Sequence, residues 1–592
     1  MQSLLKSLAP QPRRIAAGAG CVPLGATGYA AIEGGEDETA PAARVLQAAL
    51  GDGWRVANAP PAGRIRFRIV PQVAGAQSYR LRVAADGIRA EAQDRAGLFY
   101  AAVTLAQLIR LSDGVLPVCE IEDAPDFPVR GVMLDISRDK VPTMETLFCL
   151  VDLFAGLKLN QFQLYMEHTF AYRGHEEVWR NASPMTAEEI RALDAYCRER
   201  CVELVPNQNS FGHLERWLVL PRYNALAELP QGGAPLPWGG TRDEPTSLCP
   251  TDPRSVAFLE DLYDQLLPNF TSRLFNVGCD ETFDLRGEGR SAALVREQGE
   301  GRVYLDFLKK VHGLVTARGR RMAFWGDIII RHPELVPELP KDAVALEWGY
   351  EADHPFDAHG AVFAASGIPF YVCPGTSAWN SLAGRTANMR ANMLSAAENG
   401  LRHGACGYLI ADWGDGGHWQ PLSVSLAGYV YGAALAWGCG RNRDIDLAAA
   451  MNRFGGAGEL GGVLLGLGDT YLRCGALRGN STELFQILSK PETRPVAEGV
   501  TAETLRDVLA ETERLERGIG AGHSIVAQET RQIIRMVRAA CHRGLALLGG
   551  TGADCGLDEL MGEHARVWRL RNREGGLSDS LARFAAIRRG CG

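Results

Sequence analysis

Two acids stand side by side in the stretch Leu274 to Arg290, LFNVGCDETFDLRGEGR, where a short apolar run ends in glycine and delivers Asp280 and Glu281 before the chain enters a polar loop. Paired carboxylates of this kind can divide acid and base work between them, provided their surroundings hold them in different protonation states. Neighbouring side chains on a regular strand point to opposite faces, so two adjacent acids share one site only where the strand is ending. A strand end that empties carboxylates into a mouth is the arrangement of a (β/α) barrel.

Other residues with chemical potential fall at similar places. Short apolar runs at 129–136, 161–166, 203–207, 274–278, 322–325, 344–348, 370–373 and 407–413 read as strands alternating with amphipathic helices, and eight such units imply a closed (β/α)8 TIM barrel. An open doubly wound sheet would call for a glycine-rich phosphate turn after an early strand, and none is present. Arg130 begins the first run; Glu167 and His168 follow the second; Asn207, Asn209 and His213 follow the third. Trp325 and Asp327 close the fifth, Glu347 and Trp348 the sixth, Tyr371 and Trp379 border the seventh, and Asp412, Trp413 and Asp415 end the eighth. One tryptophan would be read as a plug in the barrel top. Four beside acids suit a sugar, whose C–H faces stack on indole and whose hydroxyls seek charged partners.

Three domains are expected in the 592 residues: a mixed α+β support domain over 1–123, the barrel over 124–440 and an all-helical domain over 441–592. Alternation in RIRFRIV (Arg64 to Val70) and in Tyr79 to Ala92, with a hairpin signal at Asp86-Gly87, predicts strands; Ala96 to Leu111 predicts a helix over them. Thr186 and Glu189 form a capping-box pattern at the start of a barrel helix. In the last third, apolar stripes such as Leu505, Val508, Leu509 and Leu515 predict helices packed against the barrel or against a second copy of the chain.

A net charge of -8 speaks against a nucleic-acid partner, and 46% hydrophobic with 22% charged residues against disorder. Fourteen scattered cysteines show no repeated metal spacing, and the Cys197/Cys201 pair reads as small apolar residues on a buried helix face. His168 and His175 lack ligand spacing, so neither a metal nor another cofactor is expected. The first twenty residues do not read as a secretory signal, and no uninterrupted run of about 18 apolar residues marks a membrane span, so a cytoplasmic location is expected.

The pieces FPVRGVMLDISRDKVP (Phe127 to Pro142), LKLNQFQLYMEH (Leu157 to His168), FGH (Phe211 to His213), VGCDE (Val277 to Glu281), LEWG and DWGD together resemble glycoside hydrolase family 20, the β-N-acetylhexosaminidases, over residues 60–435. The forms LYMEHTFAY, CPGTSAWN and DWGDGGHW resemble its intracellular bacterial branch, which carries a helical C-terminal domain. Where that family commonly has His-x-His on strand two followed by Asp-Asp, this chain has Gln163, Tyr165 and Glu167-His168; its usual Pro-Gly-His is Phe-Gly-His.

The resemblance implies an exo-acting, retaining hydrolase of terminal β-linked N-acetylhexosamines in which the substrate's own 2-acetamido oxygen is the nucleophile. By residue, it implies Glu281 as acid and base, Asp280 as the carboxylate on the acetamido N–H, and Arg130 and Asp415 on the ring hydroxyls. Trp325, Trp348 and Trp413 would wall the acetamido pocket, Tyr371 or Trp379 would face the acetamido oxygen, and His213 and Glu167 would support the centre. A homodimer through the helical domain is expected by the same analogy. Two other readings stay open at this level: a glycan-binding barrel without catalysis, and a hydrolase of another sugar class with Asp280 as nucleophile.

Overall fold

The computed structural model describes residues 2–58, 63–490, 495–549 and 556–588. The N-terminal part is a seven-stranded mixed sheet in the order Arg14–Pro23, Val115–Asp123, Tyr79–Ala84, Gly87–Ala92, Ile65–Ile69, Gly28–Glu33 and Trp54–Asn58. The hairpin expected at Asp86-Gly87 is present, with Ala84 opposite Gly87. The helix Arg95–Ser112 starts where the Asp94 carboxylate accepts from Gly97 N–H, and it buries Leu98, Phe99, Tyr100, Leu105 and Leu108. The sequence reading did not resolve Arg14–Pro23, whose residues are almost all exposed and so show no clear alternation.

Eight parallel strands close into a barrel. In chain order they are β1 (Val129–Asp135), β2 (Gln161–Met166), β3 (Glu203–Gln208), β4 (Leu274–Asn276), β5 (Arg321–Trp325), β6 (Val344–Trp348), β7 (Phe370–Cys373) and β8 (Gly407–Asp412). Closure is made by β8 on β1, from Gly407 opposite Val129 to Asp412 opposite Leu134. The capping box is formed: Thr186 accepts from Glu189 N–H while Glu189 accepts from Thr186 N–H.

The interior is stratified. Its middle carries a buried amide network in which Asn207 and Asn276 both donate to Gln163 Oε1, at 3.1 and 3.0 Å, and Gln163 donates to Gln161. Asn207 therefore lies inside the barrel wall.

Two assignments change here. Arg130 is the second residue of β1, at the N-terminal end of the barrel, and strand alternation turns it away from the interior. It is fully buried and donates to Lys158 O, Phe127 O, Gln77 Oε1 and the Tyr100 hydroxyl, while its guanidinium lies 4.9 Å from the Trp437 ring. It joins the barrel floor to the support domain and cannot reach a sugar at the opposite end. Tyr371 points inward but sits at the same floor: it neighbours Gln161, Glu203, Arg321 and Cys406. Its ring occupies the space beside Gly407, where a Cβ would come within 2.4 Å of it.

The floor is also held by a buried pair. Lys158 Nζ donates to Asp123 at 2.9 Å, and the same carboxylate accepts from the Tyr79 hydroxyl, Trp437 Nε1 and Arg13 N–H. The helix Leu426–Asn442 runs beside it. The stretch Leu422–Asn442 is long and apolar enough to cross a membrane, with a mean hydropathy of 1.3, yet 89% of its most apolar 18-residue window is buried inside the protein. It is a core helix.

Among the described residues beyond Asn442 the chain is helical apart from a small hairpin, Leu477–Arg478 with Ser481–Thr482. This part packs on the barrel: Trp419 stacks on Phe584 at 3.9 Å, Arg573 pairs with Glu189, and Arg571 O accepts from Thr143 N–H at 2.9 Å. Leu505, Val508, Leu515, Ile533, Ile534 and Val537 are buried within this same chain. Leu509 of the same stripe is half-buried, so most of the apolar surface that suggested a dimer is covered within the chain.

Because Asp123 would be left buried without its counter-charge, Lys158→Met should lower stability by about 3–5 kcal/mol, read as a lower urea midpoint. The folded variant should keep the affinity of the barrel mouth for its ligands unchanged.

Candidate active site

The β4 strand ends at Asn276, two residues earlier than expected, and the chain then turns through left-handed conformations at Gly278 (φ 66°), Cys279 (φ 66°) and Glu281 (φ 48°). This turn lets adjacent acids face one place. Asp280 Oδ2 lies 3.2 Å and Glu281 Oε2 3.4 Å from a single atom, His213 Nε2. Two glycines allow the close approach of loops that it needs. A Cβ at Gly278 would sit 2.6 Å from the Asn209 amide, and one at Gly212 would sit 2.3 Å from Asp280 O.

Asn209 locks the turn. Its side-chain oxygen accepts from Cys279 N–H at 3.1 Å, and its Nδ2 donates to Asp280 Oδ1 at 2.7 Å. Asp327, after β5, accepts from Glu281 N–H at 3.3 Å.

The environments differ as acid and base chemistry requires. Burial raises Asp280's pKa, but the His213 ring, the Asn209 donor and Arg138 outweigh it, so the carboxyl is held below its ordinary value. Glu281 is raised by burial and by the neighbouring Asp280 and Asp415, with His213 opposing. Burial, together with Asp280 and Glu281, pushes Asp327 up to about 8. At neutral pH, Asp280 carries the charge and Asp327 a proton. Asp280's side chain is 7% exposed and Glu281's 27%, so Glu281 stands on the open side.

Two contacts pull His213 in opposite directions. Arg138 Nη2, 3.2 Å from Nδ1, favours a neutral ring that accepts there, whereas Asp280 favours the imidazolium. Burial also opposes the charge, but the carboxylates prevail and raise the ring to about 9.

Arg138, not Arg130, is the arginine of the mouth. It stands three residues beyond Asp135, the last residue of β1, within the same FPVRGVMLDISRDKVP motif. Its guanidinium reaches Asp135 at 3.3 Å, Glu167 at 3.3 Å and Asp415 at 3.7 Å, and lies 4.9 and 4.8 Å from the Tyr165 and Trp413 rings. Asp135 also accepts from Gly414 N–H at 3.0 Å, which ties the β1 loop to the loop after β8. Glu167 and Asp415 are therefore gathered at this mouth through an arginine eight positions from the one first named.

The aromatic wall is present. Trp325 lies 6.0 Å from Trp413, Trp348 stacks on Tyr350 at 5.1 Å, and Trp379 meets Tyr350 edge-on at 4.9 Å. Tyr350 replaces Tyr371 as the tyrosine of this wall: its hydroxyl accepts from Trp413 Nε1 at 2.7 Å, and Asp280 and Asp415 both act on it. Trp379 spends its own N–H on Asn480 of the C-terminal hairpin, at 2.8 Å. Among the described residues neither buried Trp325 Nε1 nor Trp348 Nε1 has a protein acceptor, which leaves both able to donate to a ligand oxygen.

Asp412 and Glu347, also at strand ends, alternate outward. Asp412 accepts from Thr376, Ser425 and Tyr429, and Glu347 from two histidines.

A raised histidine pKa stabilises the fold fully below the unfolded value near 6.5, and that contribution is lost as pH rises through about 9. The urea midpoint of the wild type should therefore exceed that of His213→Gln most at pH 6, with the gap closing by about pH 10. A gap that widens with pH would contradict the assigned charge.

The family model for the glycosyl hydrolase family 20 catalytic domain matches residues 127–393, and that for domain 2 of the same family matches residues 6–124. Among curated relatives, a beta-hexosaminidase of Vibrio furnissii is 26% identical over 319 residues, covering 46% of this chain and 48% of that protein. A beta-hexosaminidase of Porphyromonas gingivalis is 25% identical over 284 residues, 43% of this chain and 36% of its own. The chain thus spans about half or less of these relatives. Among solved structures, a Flavobacterium johnsoniae chitobiase shares the fold with a TM-score of 0.63 at 17% identity, over 98% of this chain and 99% of that one. An exo beta-N-acetylglucosaminidase of Vibrio harveyi, solved with N-acetylglucosamine, gives 0.61 at 18% identity over 76% of each chain. With the two models of one family together matching more than half of the chain, across the support domain and the barrel as far as residue 393, the chain belongs to glycosyl hydrolase family 20.

Proposed function

We propose that this protein is a retaining, exo-acting β-N-acetylhexosaminidase that uses its substrate's acetamido group as the nucleophile. The observation that carries the reading is the convergence of Asp280 and Glu281 on His213 Nε2, with one carboxyl held ionised and the other raised. In the first step the 2-acetamido oxygen attacks the anomeric carbon, the glycosidic C–O bond breaks, and Glu281 gives its proton to the departing oxygen. The product is an oxazolinium ion, whose positive charge Asp280 stabilises through the acetamido N–H. Glu281, now ionised, then takes a proton from water as the water oxygen attacks the same carbon and reopens the ring.

Around this centre Arg138 and Asp415 meet the ring hydroxyls, Trp325, Trp348 and Trp413 enclose the methyl and ring faces, and the Tyr350 hydroxyl faces the acetamido oxygen. Asn209 and His213 keep Asp280 ionised. The names of the relatives agree in class: beta-hexosaminidases in sequence, and a chitobiase and a beta-N-acetylglucosaminidase in fold.

Glu281→Gln should lower kcat on aryl N-acetylglucosaminides by about 10²- to 10⁴-fold, and a thiazoline mimic of the cyclic intermediate should inhibit the wild type. Sugar binding with no turnover in the wild type would favour a binding protein. Good turnover of glycosides lacking the acetamido group would instead favour Asp280 as a covalent nucleophile.

Asn209→Ala removes a donor to ionised Asp280, so its pKa rises. The acid limb of the kcat/KM profile should move to higher pH, while a limb that stays in place would deny Asp280 its charged role.

A further inference from the structure

We propose that Glu347, His354 and His359 form a zinc-type divalent metal site on the outer wall of the barrel, holding the loop that follows Trp348 and carries Tyr350. Glu347 is the fourth residue of β6, and alternation sets it on the opposite face from Leu346 and Trp348, which belong to the interior cluster. Its side chain is 2% exposed. His354 Nε2 and His359 Nδ1 both lie 2.7 Å from the same oxygen, Oε1. The three donor atoms fall within 4.8 Å of one another.

The pieces are arranged as ligands commonly are. His354 lies on the loop after β6 and His359 in the first turn of the helix Phe356–Ser366, a His-x4-His spacing within the usual range for paired zinc ligands. Sequence reading weighed His168 and His175 and passed over this pair. The two rings stand 5.3 Å apart at 82°, so their nitrogens approach the carboxylate from different directions. His354 is fixed by its surroundings: it meets Phe356 edge-on at 4.5 Å, and a Cβ on Gly349 would fall 2.0 Å from its Nδ1. The side chains of His354 and His359 are 18% and 28% exposed, which leaves an open side for entry and for water to complete the coordination.

Two imidazoles and one carboxylate are a donor set for zinc-like ions, and oxygen-seeking magnesium or calcium would be poorly served. Bonds of about 2.0–2.2 Å in tetrahedral geometry put donors about 3.4 Å apart, so each histidine nitrogen, now 2.7 Å from Oε1, must move out by roughly 0.7 Å to admit the ion. A cation there would link β6 to the following helix and close the intervening loop, Gly349 to Pro355, into a fixed ring. Since Glu347 faces away from the interior, the site is structural, and hydrolysis has no step through it.

The test uses the full chain stripped with dipicolinate, then titrated with Zn²⁺ against a chromophoric chelator. One equivalent should bind with submicromolar affinity, raising the thermal midpoint. Both His354→Gln and the more exposed His359→Gln should weaken binding by about 100-fold or more. Zinc-edge X-ray absorption of the one-to-one wild-type complex should show nitrogen and oxygen neighbours with imidazole scattering, a readout that does not depend on either variant folding. Failure to bind one equivalent, a sulfur shell from the cysteines, or undiminished affinity in the folded variants would each overturn the proposal. None of these results depends on the hydrolase reading.

Discussion

Like charges repel, and everything at the mouth of this barrel is organised to let two adjacent carboxylic acids occupy one cavity in different protonation states. At a separation set by one shared imidazole nitrogen, both cannot ionise without compensation. The His213 ring sets its charge beside Asp280 and Asn209 donates a hydrogen bond to it, while Glu281 is left with burial and carboxylate neighbours that favour its proton. Asp327 adds a third carboxyl that stays protonated and touches Glu281 only through its backbone N–H. One positively charged region thus favours the charge on Asp280, while burial and carboxylate neighbours raise Glu281 and Asp327.

That selection rests on loops, and the loops rest on the barrel. The arginine that joins Asp135, Glu167 and Asp415 is set by a turn after β1, and Asp135 reaches across to Gly414 after β8, so the seam where the barrel closes is also where the site is tied together. The helical domain contributes from outside: Asn480 fixes Trp379, which holds Tyr350, whose hydroxyl accepts from Trp413. A chain of contacts therefore runs from the C-terminal hairpin to the aromatic wall of the barrel mouth.

Much of this was legible in the residues alone. Seven of the eight strands begin and end within a residue or so of the expected limits, because buried parallel strands appear as short apolar runs between turns, and the carboxylate pair and its histidine stood at recognisable strand ends. What failed did so for one reason, position along the strand. Arg130 and Tyr371 have the right chemistry but sit at the floor, each second in its strand; Arg138 and Tyr350 lie beyond the strand ends, where the rule that barrel sites occupy C-terminal ends should have directed attention. Alternation would also have removed Asp412 and Glu347 from the mouth. The left-handed turn from Gly278 to Glu281 was not legible, since Cys279 and Glu281 are poor advertisements for positive φ.

The central claim is that Asp280 acts on the substrate's amide, so that the amide oxygen and not an enzyme carboxylate attacks the anomeric carbon. The most direct measurement is kcat/KM across aryl glycosides whose N-acetyl group carries none, one, two or three fluorines. If the amide oxygen is the nucleophile, each fluorine withdraws electron density from it and the rate should fall steeply along the series; a flat series would contradict the account.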